Sequence, residues 1–224
     1  MQLNEQQQNA VVHFKGPCCV IGTPGSGKTR VITERIKYLI EERNVTPSNI
    51  LVITFTKAAA VQMKQRFQKS INGGVARVSF GTFHAIFFTI LKYAYHYTSE
   101  NIIRDDVKRQ ILKQIIDDTD IEIQDENEFI NEIESEISRV KGEQLELSNY
   151  YSPNCSGEIF RKIFNAYNSA LERRSLIDFD DMLIYCYELL SQREDILAMW
   201  QKQYPYILID EFQDINKVQY EVVK

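Results

Sequence analysis

The fold of this chain is decided by one stretch near its start, Gly22-Thr23-Pro24-Gly25-Ser26-Gly27-Lys28-Thr29. The stretch fits the pattern G-x-x-x-x-G-K-[ST], in which a glycine-rich loop joins a strand to a helix. Glycines let the backbone curl so that its N–H groups point at phosphate oxygens, and the positive end of the following helix adds partial charge there. We therefore expect a phosphate loop in which Lys28 reaches the outer phosphates and Thr29 binds Mg²⁺.

Apolar segments around this loop alternate between strand patterns and helix patterns. Short apolar runs at Cys18–Ile21, Ile50–Phe55 and Val75–Phe80 predict strands, and a fourth run follows at Tyr206–Ile209. Apolar residues at helical spacing follow the first two runs. They are Val31, Ile32, Ile36, Leu39 and Ile40 after the first run, and Ala60, Met63, Phe67 and Ile71 after the second. This alternation predicts an α/β fold with a parallel-sheet core of the phosphate-loop class.

Two acidic residues, Asp210 and Glu211, directly follow the strand pattern Tyr206–Ile209. A carboxylate at the carboxyl end of a parallel strand faces the phosphate loop across the top of the sheet. Asp210 is therefore expected to hold Mg²⁺ through its water shell, and Glu211 to orient and deprotonate an attacking water. Taken alone, an Asp-Glu pair at this place would be a helix N-cap, but the phosphate loop favours the catalytic interpretation.

From about Ser99 to Arg174 the chain has long helical patterns and no comparable strand. This segment has 10 basic and 17 acidic residues, and Asp117–Glu136 alone has ten acidic and no basic ones. Such a charge repels phosphate and makes this face a poor DNA contact. We expect residues 99–174 to form an inserted helical subdomain, and residues 1–98 and 175–224 to form the core.

Composition excludes several classes of protein. The 224 residues are 44% hydrophobic and 25% charged with net charge -5, which excludes a mainly disordered chain and a wholly cationic nucleic-acid coat. Cys18 and Cys19 stand in an apolar run and are expected to be reduced thiols in a buried strand. No signal peptide pattern or window of about 18 apolar residues is present, so we expect a soluble, cytoplasmic protein that crosses no membrane.

Five further segments, in order along the chain, carry a resemblance to a known family. They are Leu3-Asn4 with Gln7, Thr54-Phe55-Thr56-Lys57-Ala58-Ala59-Ala60, Thr82-Phe83-His84, Asp178-Phe179-Asp180-Asp181 and Asp210-Glu211-Phe212-Gln213-Asp214. Together with the phosphate loop and Arg30, they resemble the superfamily 1 DNA helicases of the UvrD, PcrA and Rep type. The resemblance spans the chain and implies a RecA-like core, ATP as the nucleotide, and 3′-to-5′ movement along single-stranded DNA with duplex unwinding.

The resemblance also implies roles at the nucleotide site, beside those of Lys28, Thr29, Asp210 and Glu211. Gln7 would recognise adenine, Arg30 would stack on it, and Gln213 would sense the terminal phosphate. The expected nucleotide contacts are therefore Gln7, Gly22, Thr23, Pro24, Gly25, Ser26, Gly27, Lys28, Thr29 and Arg30. For Gln7 the alternative is a polar cap on the first helix.

A second set of implied roles concerns DNA. Phe55 would stack on a base, Thr56, Lys57 and Thr82 would hold phosphates, and His84 would contact DNA. Taken without the resemblance, an aromatic residue at the end of a buried strand is more often core, and a histidine at the start of an apolar helix is as often a cap. The implied partners are single-stranded DNA and duplex junctions, with repair or recombination proteins meeting the acidic insertion.

The chain departs from the family pattern in two places. Lys57 precedes Ala58 where the usual string has Asn-Lys, which resembles the AddA and RecB recombination helicases and leaves the branch open. The chain also stops at Lys224 inside a helical pattern, so we expect the amino-terminal portion of a helicase, inactive without a second RecA-like domain and its arginines.

The rival interpretations are a phosphate-loop kinase or simple ATPase without a DNA role, and a nucleotide-gated docking module.

Overall fold

Strand β1 (Ile50–Thr54) lies between β2 (Ser79–Thr82) and β3 (Tyr206–Ile209), and both neighbours pair with it in parallel. All five residues of β1 are buried, as the continuous apolar run of a central parallel strand requires. The register pairs Thr54 with Thr82 and Ile53 with Ile209. The carboxyl ends of the three strands therefore share one edge of the sheet, called here the carboxyl edge.

The computed structural model describes residues 3–71, 77–119, 121 and 123–224. Its first compact unit comprises Met1–Ile86 and Arg193–Ile215. The helices of this unit are α1 (Glu5–Val12), α2 (Lys28–Glu41), α3 (Lys57–Ser70), the start of α4 (Phe83–Tyr95) and α9 (Glu194–Gln203). Its core contains Ile36, Leu39, Val45, Ile50, Val52, Met63, Phe67 and Val78. The predicted helical rows of α2 and α3 thus bury their apolar residues beside the sheet.

Two of the predicted strands are confirmed, one is shifted and one is wrong. β1 and β3 match the predicted runs, whereas β2 begins later than predicted, and residues 75 and 76 lie outside the described residues. Cys18–Ile21 forms no strand, and Ile21 is 94% exposed. A buried parallel strand needs other strands to pair with it and helices to cover its faces, and the described residues supply no strand that pairs with this run. Cys18 and Cys19 are consequently exposed free thiols and not buried ones.

The second compact unit comprises Phe87–Gln192 and Asn216–Lys224. Its helices are the rest of α4, α5 (Asp105–Asp117), α6 (Glu126–Gly142), α7 (Gly157–Arg173), α8 (Phe179–Gln192) and α10 (Lys217–Val223). Its core contains Ile111, Leu112, Ile116, Ile130, Ile133, Ile137, Phe160, Ile163, Tyr167 and Leu171. In the described ranges no helix is both long and apolar enough to span a bilayer.

Candidate functional site

The phosphate loop curls because two of its glycines adopt conformations that side chains disfavour. Gly25 has φ +78° and Gly27 has φ +88°, both in the left-handed region. Gly27 is the N-cap of α2 and, having no side chain, makes no capping bond to the first N–H groups of the helix. A helix start of this kind suits an anion, and phosphate binding here stays a prediction.

Lys28 folds back over its own loop. Its Nζ donates hydrogen bonds to the carbonyl oxygens of Gly22, at 3.0 Å, and Thr23, at 3.4 Å. A Cβ on Gly22 would lie 2.5 Å from the Ser26 Oγ and 3.5 Å from the Lys28 Cγ, so the turn is tight at this point. The ammonium group is thereby held at the loop, where phosphate oxygens could replace the two carbonyl acceptors.

Asp210 directly follows β3 at the carboxyl edge. Its backbone N–H donates to the Ile53 carbonyl at 2.9 Å, which continues the pairing of β3 with β1 by one residue. Burial, and then the neighbouring Glu211 carboxylate, raise the pKa of Asp210, while the Lys28 ammonium lowers it. The Lys28 ammonium is thus near enough to act on the Asp210 carboxyl group, as the predicted nucleotide site requires.

Glu211 and Gln213 are linked directly. Glu211 has φ +54° and ψ +46°, a conformation uncommon for a residue other than glycine and often found at functional sites. The Gln213 Nε2 donates to the Glu211 Oε2 at 2.7 Å and to the Asp214 Oδ2 at 3.2 Å. Gln213 thus holds the carboxylate predicted to activate water, whereas its predicted contact with the terminal phosphate stays a prediction.

Gln7 joins α1 to the phosphate loop. Its backbone N–H donates to the Asn4 Oδ1 at 2.8 Å and its Oε1 accepts from the Asn4 N–H at 3.0 Å, which is a capping box. Its Nε2 donates to the Ser26 carbonyl at 2.9 Å. The capping alternative is therefore confirmed, and the same side chain also touches the loop. Adenine recognition by Gln7 and stacking by Arg30, which is half-buried in the first turn of α2, stay predictions.

The predicted Mg²⁺ ligands are a hydroxyl and a carboxylate, Thr29 and Asp210. Oxygen donors of this kind suit Mg²⁺, which keeps several waters and binds phosphates as well. Among the residues that the structure describes, no cluster of three or more His, Cys, Asp or Glu side chains could hold a metal alone. The donor set therefore fits a metal that is completed by nucleotide phosphates, and not a metal held by the protein only.

Phe55 directly follows β1 at the carboxyl edge. Its side chain is 51% exposed, so the core interpretation of this residue is wrong. Thr56 is the N-cap of α3, since its Oγ1 accepts from the Ala59 N–H at 3.1 Å, and Lys57 is exposed in the first turn. An exposed aromatic ring beside a cation and a helix start is a surface that suits a nucleotide base and its phosphate.

The predicted DNA contacts after β2 lie at the same edge. Thr82 pairs with Thr54 in the register, and its Oγ1 accepts from the Ala85 N–H at 3.3 Å at the start of α4. His84 is half-buried in the first turn of that helix. The structure thus brings both predicted DNA segments to neighbouring strand ends, while the contacts with DNA stay predictions.

The Asp178–Asp181 string lies in the second unit and has a structural partner that the sequence analysis missed. Asp178 and Asp181 accept hydrogen bonds from each other's backbone N–H groups at the start of α8. The Lys141 Nζ donates to the Asp178 Oδ2 at 2.8 Å and to the Asp181 Oδ1 at 2.6 Å, and all three residues are buried. Tyr167 also donates its hydroxyl to Asp178 at 3.0 Å. Burial and then the Asp178 carboxylate raise the pKa of Asp181 to about 6.

A sequence signal for this cluster exists in α6. The buried positions of this helix are Phe129, Ile130, Ile133, Glu136, Ile137, Val140, Lys141 and Gly142. Lys141 and Glu136 therefore occupy core positions in an otherwise apolar helical row. A charged residue at such a position indicates a buried partner or a functional role.

Comparisons with known proteins agree with this geometry. The profile of the family described as UvrD/REP helicase N-terminal domain matches residues 3–224. A probable DNA helicase II homolog of Mycoplasma capricolum subsp. capricolum is 36% identical over 230 residues, which cover 99% of this chain and 32% of the relative. The ATP-dependent DNA helicase PcrA of Leuconostoc citreum is 34% identical over 232 residues, which cover 99% of this chain and 30% of that relative. The putative ATP-dependent DNA helicase YjcD of Bacillus subtilis is 35% identical over 239 residues, with the same coverage. The chain thus spans about a third of the length of these relatives.

Replacing Lys141 by methionine should destabilise the chain strongly. The substitution removes the cation from two buried carboxylates, and breaking a buried ion pair in this way costs about 3–5 kcal/mol. Urea unfolding measures the free energy difference. Lys162→Met is the control, because Lys162 is exposed on α7, and its effect should stay within about 0.5 kcal/mol. Equal stabilities of the two variants would contradict the structural role of Lys141.

Proposed function

Because the chain belongs to the UvrD/REP helicase N-terminal domain family, we propose that it is the ATP-binding part of an ATP-dependent 3′-to-5′ DNA helicase. The observation that supports this proposal is the glycine turn before α2, where Gly25 and Gly27 have positive φ and the Lys28 ammonium bonds to the Gly22 carbonyl. The intact protein would couple ATP hydrolysis to movement along single-stranded DNA and to unwinding at duplex junctions. Residues 1–98 and 175–224 would belong to the RecA-like core, and residues 99–174 to its inserted subdomain.

The residues of the loop would bind the nucleotide phosphates. Backbone N–H groups at the start of α2 and the Lys28 ammonium would neutralise their charge, while Gln7 and Arg30 would contact the adenine. Thr29 and Asp210 would be ligands of Mg²⁺, which, when bound, stabilises negative charge on the phosphate oxygens. Glu211 would take the proton of the attacking water, with its carboxylate oriented by the hydrogen bond from Gln213.

The carboxyl edge would connect hydrolysis to DNA. Phe55 follows β1 two residues after Ile53, and the Ile53 carbonyl accepts the hydrogen bond of the Asp210 N–H at 2.9 Å. A displacement of Asp210 on hydrolysis would therefore reach Phe55 through the backbone of one strand. Coupling of this kind needs a continuous, packed path that can adopt two conformations. β1 would provide the packed path, because it is buried along its whole length.

A second candidate is a recombination helicase of the AddA and RecB type. The observation that favours it is the position of Lys57 directly at the start of α3, one residue earlier than in the usual UvrD string. In both candidates the acidic helical segment would contact repair or recombination proteins, because its charge disfavours DNA.

Lys28→Met should remove ATP hydrolysis from the intact protein. The methionine keeps the length of the side chain but loses the charge that faces the phosphates, and losses of one such group are about 10²–10³-fold in kcat. Steady-state ATPase assays with saturating single-stranded DNA measure the effect. Lys37→Met is the matched control on the same helix, since Lys37 is half-buried and pairs with Glu34 of α2. If Lys28→Met and the control hydrolysed ATP at equal rates, the nucleotide site would be wrongly assigned.

Phe55→Ala should weaken the binding of single-stranded DNA and leave ATP affinity unchanged. Loss of one base stacking platform costs about 1–3 kcal/mol, which corresponds to roughly 5–150-fold in Kd. Fluorescence anisotropy with a labelled oligothymidine measures this change on the intact protein. Tyr151→Ala is the control, because Tyr151 is 89% exposed but belongs to the second unit. Unchanged DNA affinity of Phe55→Ala would exclude Phe55 as a stacking residue.

A further inference from the structure

Helix α1, which carries Gln7, has little apolar packing to hold it in place. Of its eight residues, all of them described, Val11 alone is buried, and Val12 is 36% exposed. A helix this short is marginal by itself, because most helical stability in proteins comes from the packing of an apolar face. The position of Gln7 therefore depends strongly on polar contacts at the two ends of α1.

The first turn of α1 is attached to the phosphate loop through the Gln7 side chain. Its Nε2 donates to the Ser26 carbonyl at 2.9 Å, and a Cβ on Gly27 would lie 3.2 Å from the same nitrogen. The amide thus lies against the N-cap of α2. A shift of α1 by about 1 Å would break this hydrogen bond, since N–H···O bonds need heavy-atom distances near 3 Å.

The last turn of α1 is attached to α2 through Arg35. The Arg35 Nη1 donates to the carbonyl oxygens of Ala10 and Val11, both at 3.2 Å, and to that of His13. Carbonyls in the last turn of a helix lack partners within that helix, and a cation there also balances the negative end of the helix dipole. The described residues of α1 include no Lys or Arg, so Arg35 supplies this charge from the neighbouring helix.

Arg35 belongs to the same helix that begins at the phosphate loop. It follows Lys28 by seven residues, which is about two turns, so both residues lie on the same side of α2. The Arg35 side chain is half-buried, and burial lowers its pKa, although a guanidinium group stays protonated at neutral pH. Charge-assisted hydrogen bonds from such a group fix the end of α1 relative to the helix that carries Lys28.

We propose that Arg35 is a positioning residue for base selection, which holds α1 so that the Gln7 amide faces the base of the bound nucleotide. This role rests on the proposed contact of Gln7 with adenine. An amide can accept from the adenine N6 and donate to N7, whereas guanine has the acceptor O6 in place of the N6 donor. Recognition of this kind needs the amide within about 0.5 Å of the productive position.

The nucleotide phosphates and Mg²⁺ would be held by the phosphate loop, Thr29 and Asp210, which are not part of α1. The present bonds of the Gln7 amide also leave one of its two hydrogens and one lone pair for a base. A displaced α1 would therefore impair the choice of base and leave the hydrolytic groups in place. Arg35 should affect the KM for ATP more than kcat.

Steady-state assays of the intact protein with saturating single-stranded DNA test the proposal. The quantity measured is kcat/KM for ATP divided by kcat/KM for GTP. Arg35→Met should lower this ratio about fivefold or more through the KM for ATP, because a bidentate base contact is worth roughly 5–150-fold. Arg35→Lys keeps the charge but loses the planar fork of donors, so it should lower the ratio by a smaller factor. Arg66→Met, exposed on α3, is the matched control and should leave the ratio unchanged.

A double variant shows whether Arg35 acts through Gln7. Gln7→Ala should lower the ratio alone, and the addition of Arg35→Met should lower it no further. A further loss in the double variant, or a fall in kcat at an unchanged ratio in Arg35→Met, would overturn the proposal and assign Arg35 a structural role only.

Two further outcomes are decided by the same assays. If thermal unfolding shows that Arg35→Met is unfolded at the assay temperature, Arg35→Lys carries the test, and an unchanged ratio in it would overturn the proposal. If Gln7→Ala leaves the ratio unchanged, the proposed adenine contact fails and the role of Arg35 fails with it. A lowered ratio in Gln7→Ala beside an unchanged ratio in folded Arg35→Met would overturn the role of Arg35 alone.

Discussion

The structure of the first unit depends on the parallel pairing of β1 with both of its neighbours. Parallel strands end at the same edge, and hydrogen bonds fix their register, so the segments that follow the three strands must lie side by side. This places Asp210, Phe55 and Thr82 at one edge although they are far apart in the chain. The Lys28 ammonium of the phosphate loop lowers the pKa of Asp210. The proposed nucleotide site and the proposed DNA surface would therefore be neighbours by topology.

Local patterns were sufficient to predict the elements whose partners lie within the chain. The buried runs of β1 and β3 and the helical row of α3 are confirmed, because their apolar residues pack against each other. The run Cys18–Ile21 was predicted in the same way and is exposed. The apolar character of this run shows only that its side chains could be buried. Whether burial occurs depends on neighbouring strands, which periodicity does not reveal.

The helical unit shows a different limit of sequence reasoning. A count of charges describes residues 117–136 as a solvated acidic face, yet Glu136 is buried, and Lys141 is buried one turn further along the same helix. Lys141 is compensated by Asp178 and Asp181, which lie in a distant part of the chain. Glu136 accepts hydrogen bonds from Ser152 and Asn154 in the loop after α6. The first arrangement specifies how α6 packs on α8, whereas the second links α6 to the loop that follows it.

The central claim is that Lys28 and Asp210 lie in one site, and carboxylate NMR tests it most directly. A titration of ¹³C-labelled aspartates should give Asp210 a pKa above the ordinary range, because burial and Glu211 raise it. In Lys28→Met the same pKa should rise further, since the ammonium that favours the charged carboxylate is gone. An Asp210 pKa that is identical in both proteins would show that the two side chains do not meet, and would contradict the account.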